Sequence, residues 1–159
     1  MSKIAPSQTL TLRAARINDL DDLLQIESES FSTESYPLTS RRQFRYLLTK
    51  AKNVELFVAC LDKNVVGYGL LFFRKNSFWG RLYSISVRPE YQGGAVGKQL
   101  FERAEQRIRK RKQKGMLLEI RADNQKHLKR YLGLGYQLID TIPDYYPDGS
   151  AALKLRKEL

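Results

Sequence analysis

Cysteine is almost missing from this 159-residue chain: Cys60 stands alone, so no disulfide can close within it. A single histidine, His127, leaves no Cys/His set of the kind that holds zinc, and no metal is expected. No apolar run approaches the roughly 18 residues of a membrane-spanning helix, and Met1 to Gln8 has no apolar signal core. A soluble, cytoplasmic protein without a membrane partner is therefore expected. Acidic residues are scarce as well, 17 Asp and Glu against 28 Lys and Arg, for a formal net charge of +11. That excess implies an anionic partner, and composition alone does not rank nucleic acid, ribosome, anionic membrane and polyphosphorylated cofactor. Chemistry is left to carboxylates, hydroxyls, phenols, backbone amides or a borrowed cofactor. What is present, 42% hydrophobic and 11% aromatic residues, suffices for one sizeable core and excludes a disordered or fibrous chain. One domain over 1–159 is expected, since no linker, repeat or low-complexity stretch divides the sequence.

Hydrophobic periodicity orders the elements. Thr9 to Arg16 alternates as a half-buried strand. Asn18 or Asp19 is placed to cap a helix in which Leu20, Leu23, Leu24 and Glu27 recur at helical spacing, and Thr39 or Ser40 a second helix with Phe44, Leu47 and Leu48 on one face. Leu56 to Leu61 and Val65 to Phe73 form a β-hairpin, and Arg81 to Val87 a further strand. A long amphipathic helix follows, with Val96, Leu100, Ala104 and Ile108 in its apolar row and Gly115 at the position of a C′ glycine. Met116 to Ile120 reads as a buried strand, Asn124 to Leu132 as a short helix, and Tyr136 to Ile142 and Ala151 to Leu155 as strands flanking an aromatic loop, Pro143 to Gly149. This order is that of an α+β domain around one mixed sheet.

Gln92-Gly93-Gly94-Ala95-Val96-Gly97 lies between a strand and a helix, where small residues, free N–H groups and the positive end of the helix dipole suit phosphate oxygens. It has neither the Gly-Lys-Ser/Thr of a Walker loop nor the setting of a dinucleotide fingerprint. A tight turn serving only strand-to-helix packing is the bland alternative.

Gln92, Ala95 and Gly97 fill the pattern Arg/Gln, two residues, Gly/Ala, one residue, Gly/Ala, and Ile85 to Tyr91 precede them. In these residues the chain resembles the GNAT superfamily of acetyl-coenzyme A-dependent N-acetyltransferases. Leu118 to Asn124, Tyr131, Leu134 to Tyr136 and Asp144 to Gly149 are similar to its RimI-type branch, which acetylates protein N-termini, the type member acting on a ribosomal protein. The resemblance implies a GNAT-like central mixed, mostly antiparallel sheet flanked by helices, with acetyl-coenzyme A as acetyl donor. It also implies an amine acceptor, a protein N-terminus, leaves ribosomal association open, and implies direct attack in a ternary complex in which cysteine takes no part. By position it makes Glu119 the general base and Tyr131 the general acid. Ile85 and Val87 become backbone contacts for the pantetheine arm, Gln92, Gly93, Gly94, Ala95, Val96, Gly97 and Lys98 the pyrophosphate loop, and Asn124 a coenzyme contact. Tyr145 and Tyr146, beside the turn at Pro147 to Gly149, become substrate contacts.

Each residue also has a plainer reading. Glu119 in an apolar strand would otherwise pair with Arg121 or a lysine, Tyr131 would pack on Tyr136, and His127 would be solvated. Arg107 to Lys114 carries six basic residues in eight. It reads as a solvated helix end, an anchor for ribosomal RNA, or one for the coenzyme's adenosine phosphate. Two other functions remain open: acetylation of a small amine or a protein lysine, and a basic nucleic-acid-associated module with a vestigial cofactor site. Phe31 to Leu38 and Asp144 to Gly149 are the expected flanks of the acceptor channel.

Overall fold

The computed structural model describes residues 4–30 and 38–159. Its elements run β1 (Leu10–Ala14), α1 (Leu20–Ser30), α2 (Arg41–Thr49), β2 (Val54–Leu61), β3 (Asn64–Phe73), β4 (Trp79–Val87), α3 (Ala95–Lys110), β5 (Gly115–Arg121), α4 (Gln125–Gly133), β6 (Gln137–Ile142) and β7 (Ala152–Glu158). The seven strands form one sheet in the order β1-β2-β3-β4-β5-β7-β6, antiparallel except between β4 and β5. The fold is thus α+β, a mixed and mostly antiparallel sheet flanked by helices, as the sequence suggested.

The central strands are apolar on both sides because helices cover both faces of the sheet. In β2, Phe57, Ala59 and Leu61 face α3 residues Val96, Leu100, Ala104 and Ile108, while Leu56, Val58 and Cys60 face Leu20, Leu23, Ile26 and Phe44 of α1 and α2. A period of two with both faces buried reads in the sequence as an unbroken apolar run. Each such leucine or phenylalanine contributes about 1.5–3 kcal/mol on burial, which makes this double-sided stack the stable frame of the molecule.

Local signals decide most boundaries. Ser40 caps α2: its hydroxyl accepts from Gln43 N (3.2 Å) while the Gln43 side chain accepts from Ser40 N (2.8 Å). Asp19 acts differently from a simple cap of α1. It ends a 3-10 turn, Ile17–Asp19, and its carboxylate reaches back to Arg16 N (2.7 Å) and to the Arg13 guanidinium (2.8 and 2.9 Å). Gly115 also corrects its expected role. The left-handed residue after α3 is Lys112 (φ 55°), whereas Gly115 opens β5, and a Cβ there would lie 2.1 Å from the Lys157 carbonyl oxygen. The glycine serves close strand approach.

Candidate active site

Parallel strands β4 and β5 pair only from Trp79 to Leu82 against Gly115 to Leu118. Beyond that point each stays with its outer neighbour, β4 with β3 as far as Val87 and β5 with β7 as far as Arg121. A β-bulge marks the parting: Leu71 pairs with Leu82 and Leu70 with Ser84, leaving Tyr83 as the extra residue. The sheet therefore splits, exposing an unpaired edge of β4 and opening a cavity of about 390 Å³. Its walls are β4 from Arg81 to Ile85, β5 from Leu118 to Arg121, Glu27 of α1, His127 and Tyr131 of α4, and Tyr145 and Tyr146 of the β6–β7 loop.

Five of the residues singled out from sequence, Ile85, Glu119, Tyr131, Tyr145 and Tyr146, line this one cavity. The Glu119 carboxylate, 12% exposed, accepts from Arg81 Nε (3.1 Å), and Arg81 Nη2 donates to the Tyr145 hydroxyl (2.8 Å). The partner of Glu119 is thus Arg81 rather than Arg121 or a lysine. Register explains it: Arg81 lies opposite Leu117 on the neighbouring parallel strand, two positions from Glu119 and on the same face. Arg121 is engaged elsewhere, donating to Asp148 (2.5 Å) and Ser150 (2.7 Å) and lying 5.0 Å from the centre of the Tyr146 ring. This anchors the β6–β7 loop, and the Arg121 guanidinium together with the Ser150 N–H holds the Asp148 carboxyl down at about 2.

Tyr131 packs its ring at 5.6 Å from Phe101 and 5.9 Å from Tyr136, yet borders the cavity. Burial pushes its phenol up, against the opposing charge of Arg130, so the hydroxyl keeps its proton at neutral pH. His127 is drawn to the cavity as well, and burial, then Arg130 and Lys126, lower its pKa and favour the neutral ring.

Glu27, in the sequence a member of the helical row of α1, is not among the expected site residues. It is 4% exposed, takes a hydrogen bond from the Tyr68 hydroxyl, and accepts from Thr39 N (2.6 Å). Tyr68 Oη lies 3.3 Å from Ser84 Oγ, itself 3.2 Å from Ser86 Oγ, so a polar chain runs from α1 beneath the floor of the cavity. A glutamate inside the apolar row of a helix was the available signal.

The glycine-rich segment lies at the far end of the exposed β4 edge. Gly93 needs its positive φ (75°), but Gly94 and Gly97 do not relieve crowding within the protein. A Cβ on Gly94 would come no nearer than 3.8 Å to any neighbour, and the same holds for Gly97. Side chains are missing on the outer surface, where a ligand would approach. Gly94 leads into α3 with no side-chain cap, no acid stands in the first turn, and Lys98 is exposed there. Free N–H groups, dipole and one cation fit a pyrophosphate. Gln92, Gly93, Gly94 and Ala95 are exposed, whereas Val96 is buried and offers only its backbone. The Gln92 side chain turns back, donating from Nε2 to the Val87 carbonyl (3.0 Å), which also accepts from Ser30 Oγ (3.2 Å). That carbonyl is engaged before any pantetheine arrives. Asn124 is outside the cavity lining, and its Oδ1 caps α4 by accepting from His127 N (3.1 Å).

Among the described residues, no group of three or more His, Cys, Asp and Glu is placed to hold a metal ion. Of the expected channel flanks, residues 31–37 lie outside the described residues, and Asp144 to Gly149 stands at the cavity mouth through Tyr145 and Tyr146.

Known proteins share this fold. A model of the acetyltransferase (GNAT) family matches residues 20–136. A Bacillus subtilis (strain 168) protein, provisionally named a ribosomal protein bS18-alanine N-acetyltransferase, is 26% identical over 137 residues, covering 86% of this chain and 87% of its own. The crystal structure of the ribosomal-protein-S18-alanine N-acetyltransferase from Escherichia coli superposes with a TM-score of 0.81 at 22% identity over 94% of both chains. PaiA N-acetyltransferase from Thermoplasma acidophilum, solved in complex with coenzyme A, gives 0.78 at 19% identity over 95% of this chain and 99% of its own. A split β4–β5 pair, an uncapped glycine-led helix and a family match over most of the length identify the chain as a member of the acetyltransferase (GNAT) family, an N-acetyltransferase.

Proposed function

We propose that this N-acetyltransferase acts on the N-terminal α-amine of a protein, with acetyl-coenzyme A as donor, by direct attack in a ternary complex in the cytoplasm. The observation that carries the proposal is the meeting of Glu119 and Tyr131 across one cavity, at the point where β4 and β5 part. Acetyl-coenzyme A supplies the acetyl thioester. Residues Gln92 to Lys98 hold its pyrophosphate, and the free edge of β4 near Ile85 receives its pantetheine amides.

In this reading Glu119 takes the proton that an acceptor ammonium must lose, and the Tyr131 hydroxyl supplies one to the departing sulfur. Presenting a neutral amine at pH 7 costs about 1.4 kcal/mol for an N-terminus of pKa about 8, and about 4.6 kcal/mol for a lysine of about 10.4. A modest base meets the smaller demand, and the Glu119 carboxylate, bonded to Arg81, is the one at hand in the cavity. Tyr145, held by Arg81, and Tyr146, under Arg121, shape the acceptor entrance. Cys60 is buried in the α1 face of the sheet, away from the cavity, which supports transfer without a cysteinyl intermediate. The names of the Bacillus and Escherichia proteins favour a ribosomal protein as acceptor. No described helix is long and apolar enough to cross a membrane, in keeping with a cytoplasmic acceptor.

A peptide library followed by coenzyme A release tests the acceptor. Peptides with a free N-terminus should turn over faster than the same peptides blocked there and carrying an internal lysine. Equal rates, or turnover confined to polyamines, would transfer the assignment to lysine or small-amine acetylation.

A further inference from the structure

The +11 charge does not gather at the pyrophosphate loop. Helix α3 is 16 residues long, so its basic C-terminal end lies about 24 Å from its glycine-led start, beyond the nucleotide of a coenzyme seated there. At that far end three segments converge. Lys114 N donates to the Phe78 carbonyl (2.6 Å), and Trp79 and Glu158 both pair with Gly115, bringing the β3–β4 loop, the end of α3 and the end of β7 together. Arg74 and Lys75 join from the first, Arg109, Lys110, Arg111, Lys112 and Lys114 from the second, and Arg156 from the third, all exposed.

Little neutralises them. Glu55 is taken by Arg107 and Arg111, and Glu158 stands 3.7 Å from Lys114. Arg74, Lys75, Arg109, Lys110 and Lys112 form no ion pair among the described residues. Aromatic rings are interleaved with the cations. Arg111 lies 4.0 Å over the Phe73 ring, Arg156 and Lys114 lie 5.0 and 5.6 Å from the Trp79 ring, and Phe78 is 77% exposed in their midst. Unpaired cations around a bare ring match a backbone of phosphates carrying bases free to stack. A membrane surface would ask instead for an extended apolar face, and Phe78 is a single ring on a turn.

We propose that this surface, at the end of the sheet opposite the acetyl-transfer cavity, binds single-stranded RNA, with Phe78 stacking on a base and Arg109, Lys110 and Lys112 contacting phosphates. Unpaired RNA loops present both features at once. The surface is independent of the acceptor assignment, because it shares no residue with the cavity.

The test is fluorescence anisotropy of a labelled, unstructured 20-nucleotide RNA with the full chain, over a series of salt concentrations. Binding should weaken linearly in log–log form. The Arg109→Gln/Lys110→Gln/Lys112→Gln triple variant should lose 10- to 100-fold in affinity and have a salt slope shallower by about two, from roughly 0.7 per lost contact. Phe78→Ala should lose about tenfold, within the range of one stacked base. Melting temperature and peptide acetylation should stay at wild-type values in both variants, which separates this surface from the proposed function. Absence of RNA binding at 50 mM salt would overturn the proposal. So would affinity unmoved by either variant, or equal affinity for duplex RNA, for a DNA strand of the same sequence, or for phosphatidylserine vesicles.

Discussion

The two ends of the β4–β5 pair are built from the same strands and meet anions in opposite ways. At the open end, past Leu82 and Leu118, charged groups are partnered locally: Arg81 pairs with Glu119 and Arg121 with Asp148, while Glu27 takes a hydrogen bond from the Tyr68 hydroxyl. The phosphate attraction proposed for this end rests on backbone, on the uncapped start of α3 and the missing side chains of Gly94 and Gly97. At the closed end, where Trp79 pairs with Gly115, backbone groups are satisfied by the sheet, and although Glu55 and Glu158 meet Arg111 and Lys114, Arg74, Lys75, Arg109, Lys110 and Lys112 have no ion pair among the described residues. Net charge is therefore a poor guide to where the proposed cofactor loop lies. A preorganised helix start binds a defined diphosphate at close range, whereas mobile lysines and arginines attract any polyanion from a distance, more weakly as salt rises.

The largest expected effect breaks the open end directly. Gly97→Glu places bulk and negative charge in the first turn of α3, where a Cβ would meet Val87 Cγ2 only at ordinary contact distance, 3.8 Å. Calorimetry should show coenzyme affinity reduced by 100-fold or more with the fold intact. Wild-type affinity in a folded variant would show that phosphate does not bind at this loop. Wild-type protein should be stabilised by about 2.7 kcal/mol at a hundredfold excess of acetyl-coenzyme A over Kd, and much less by ATP or NAD.

Tyr131→Phe comes next. It removes one hydroxyl, leaves the contacts with Phe101 and Tyr136, and should lower kcat roughly 10²-fold with coenzyme binding and melting temperature nearly unchanged. A wild-type rate would leave Tyr131 as a packing residue.

Arg81→Gln should cost less, about tenfold in kcat together with a raised KM for peptide, because it frees Glu119 and Tyr145 without deleting either. Unchanged kinetics would mean that the local charge balance of the open end has no part in turnover.

The smallest effect is one of pH. Asp148 is held at about 2 by Arg121 and Ser150, below its ordinary value of about 3.9, so the interaction is fully present above about pH 4 and is lost as pH falls toward 2. Amide exchange at Gly149 and Ser150 should rise over that window and be raised at neutral pH in Asp148→Asn. The effect is small because the pair is exposed. A flat profile would show that the loop is held by its backbone alone.

How much of this could be read in the sequence follows from the range of each interaction. Strands, helices and the Ser40 cap depend on neighbours within a few residues, and their periodicity reported them. Glu119, Tyr131, Tyr145 and Tyr146 could be singled out because similarity carries residue identity, but their meeting in one cavity could not be read from spacing. Asn124, for which similarity implies a cofactor contact, caps α4 through His127 N, a partner only three residues on. Gly115 opens a strand rather than ending a helix because its crowding comes from Lys157, 42 residues away. Arg81 escaped notice because its partner sits on another strand, 38 residues off.

Composition by itself determined that no intrachain disulfide could brace this protein and that its surface would be strongly basic. Periodicity and motif determined the α+β order of elements and the anion-ready start of α3. Tertiary structure alone decided where β4 and β5 part, that Glu27 and Arg81 join Glu119 at the cavity, and that basic residues collect a helix length away from the glycine-rich loop. The division is physical. Local propensities act through a few bonds of chain, whereas strand register and charge pairing become fixed only once distant segments have packed against a common sheet.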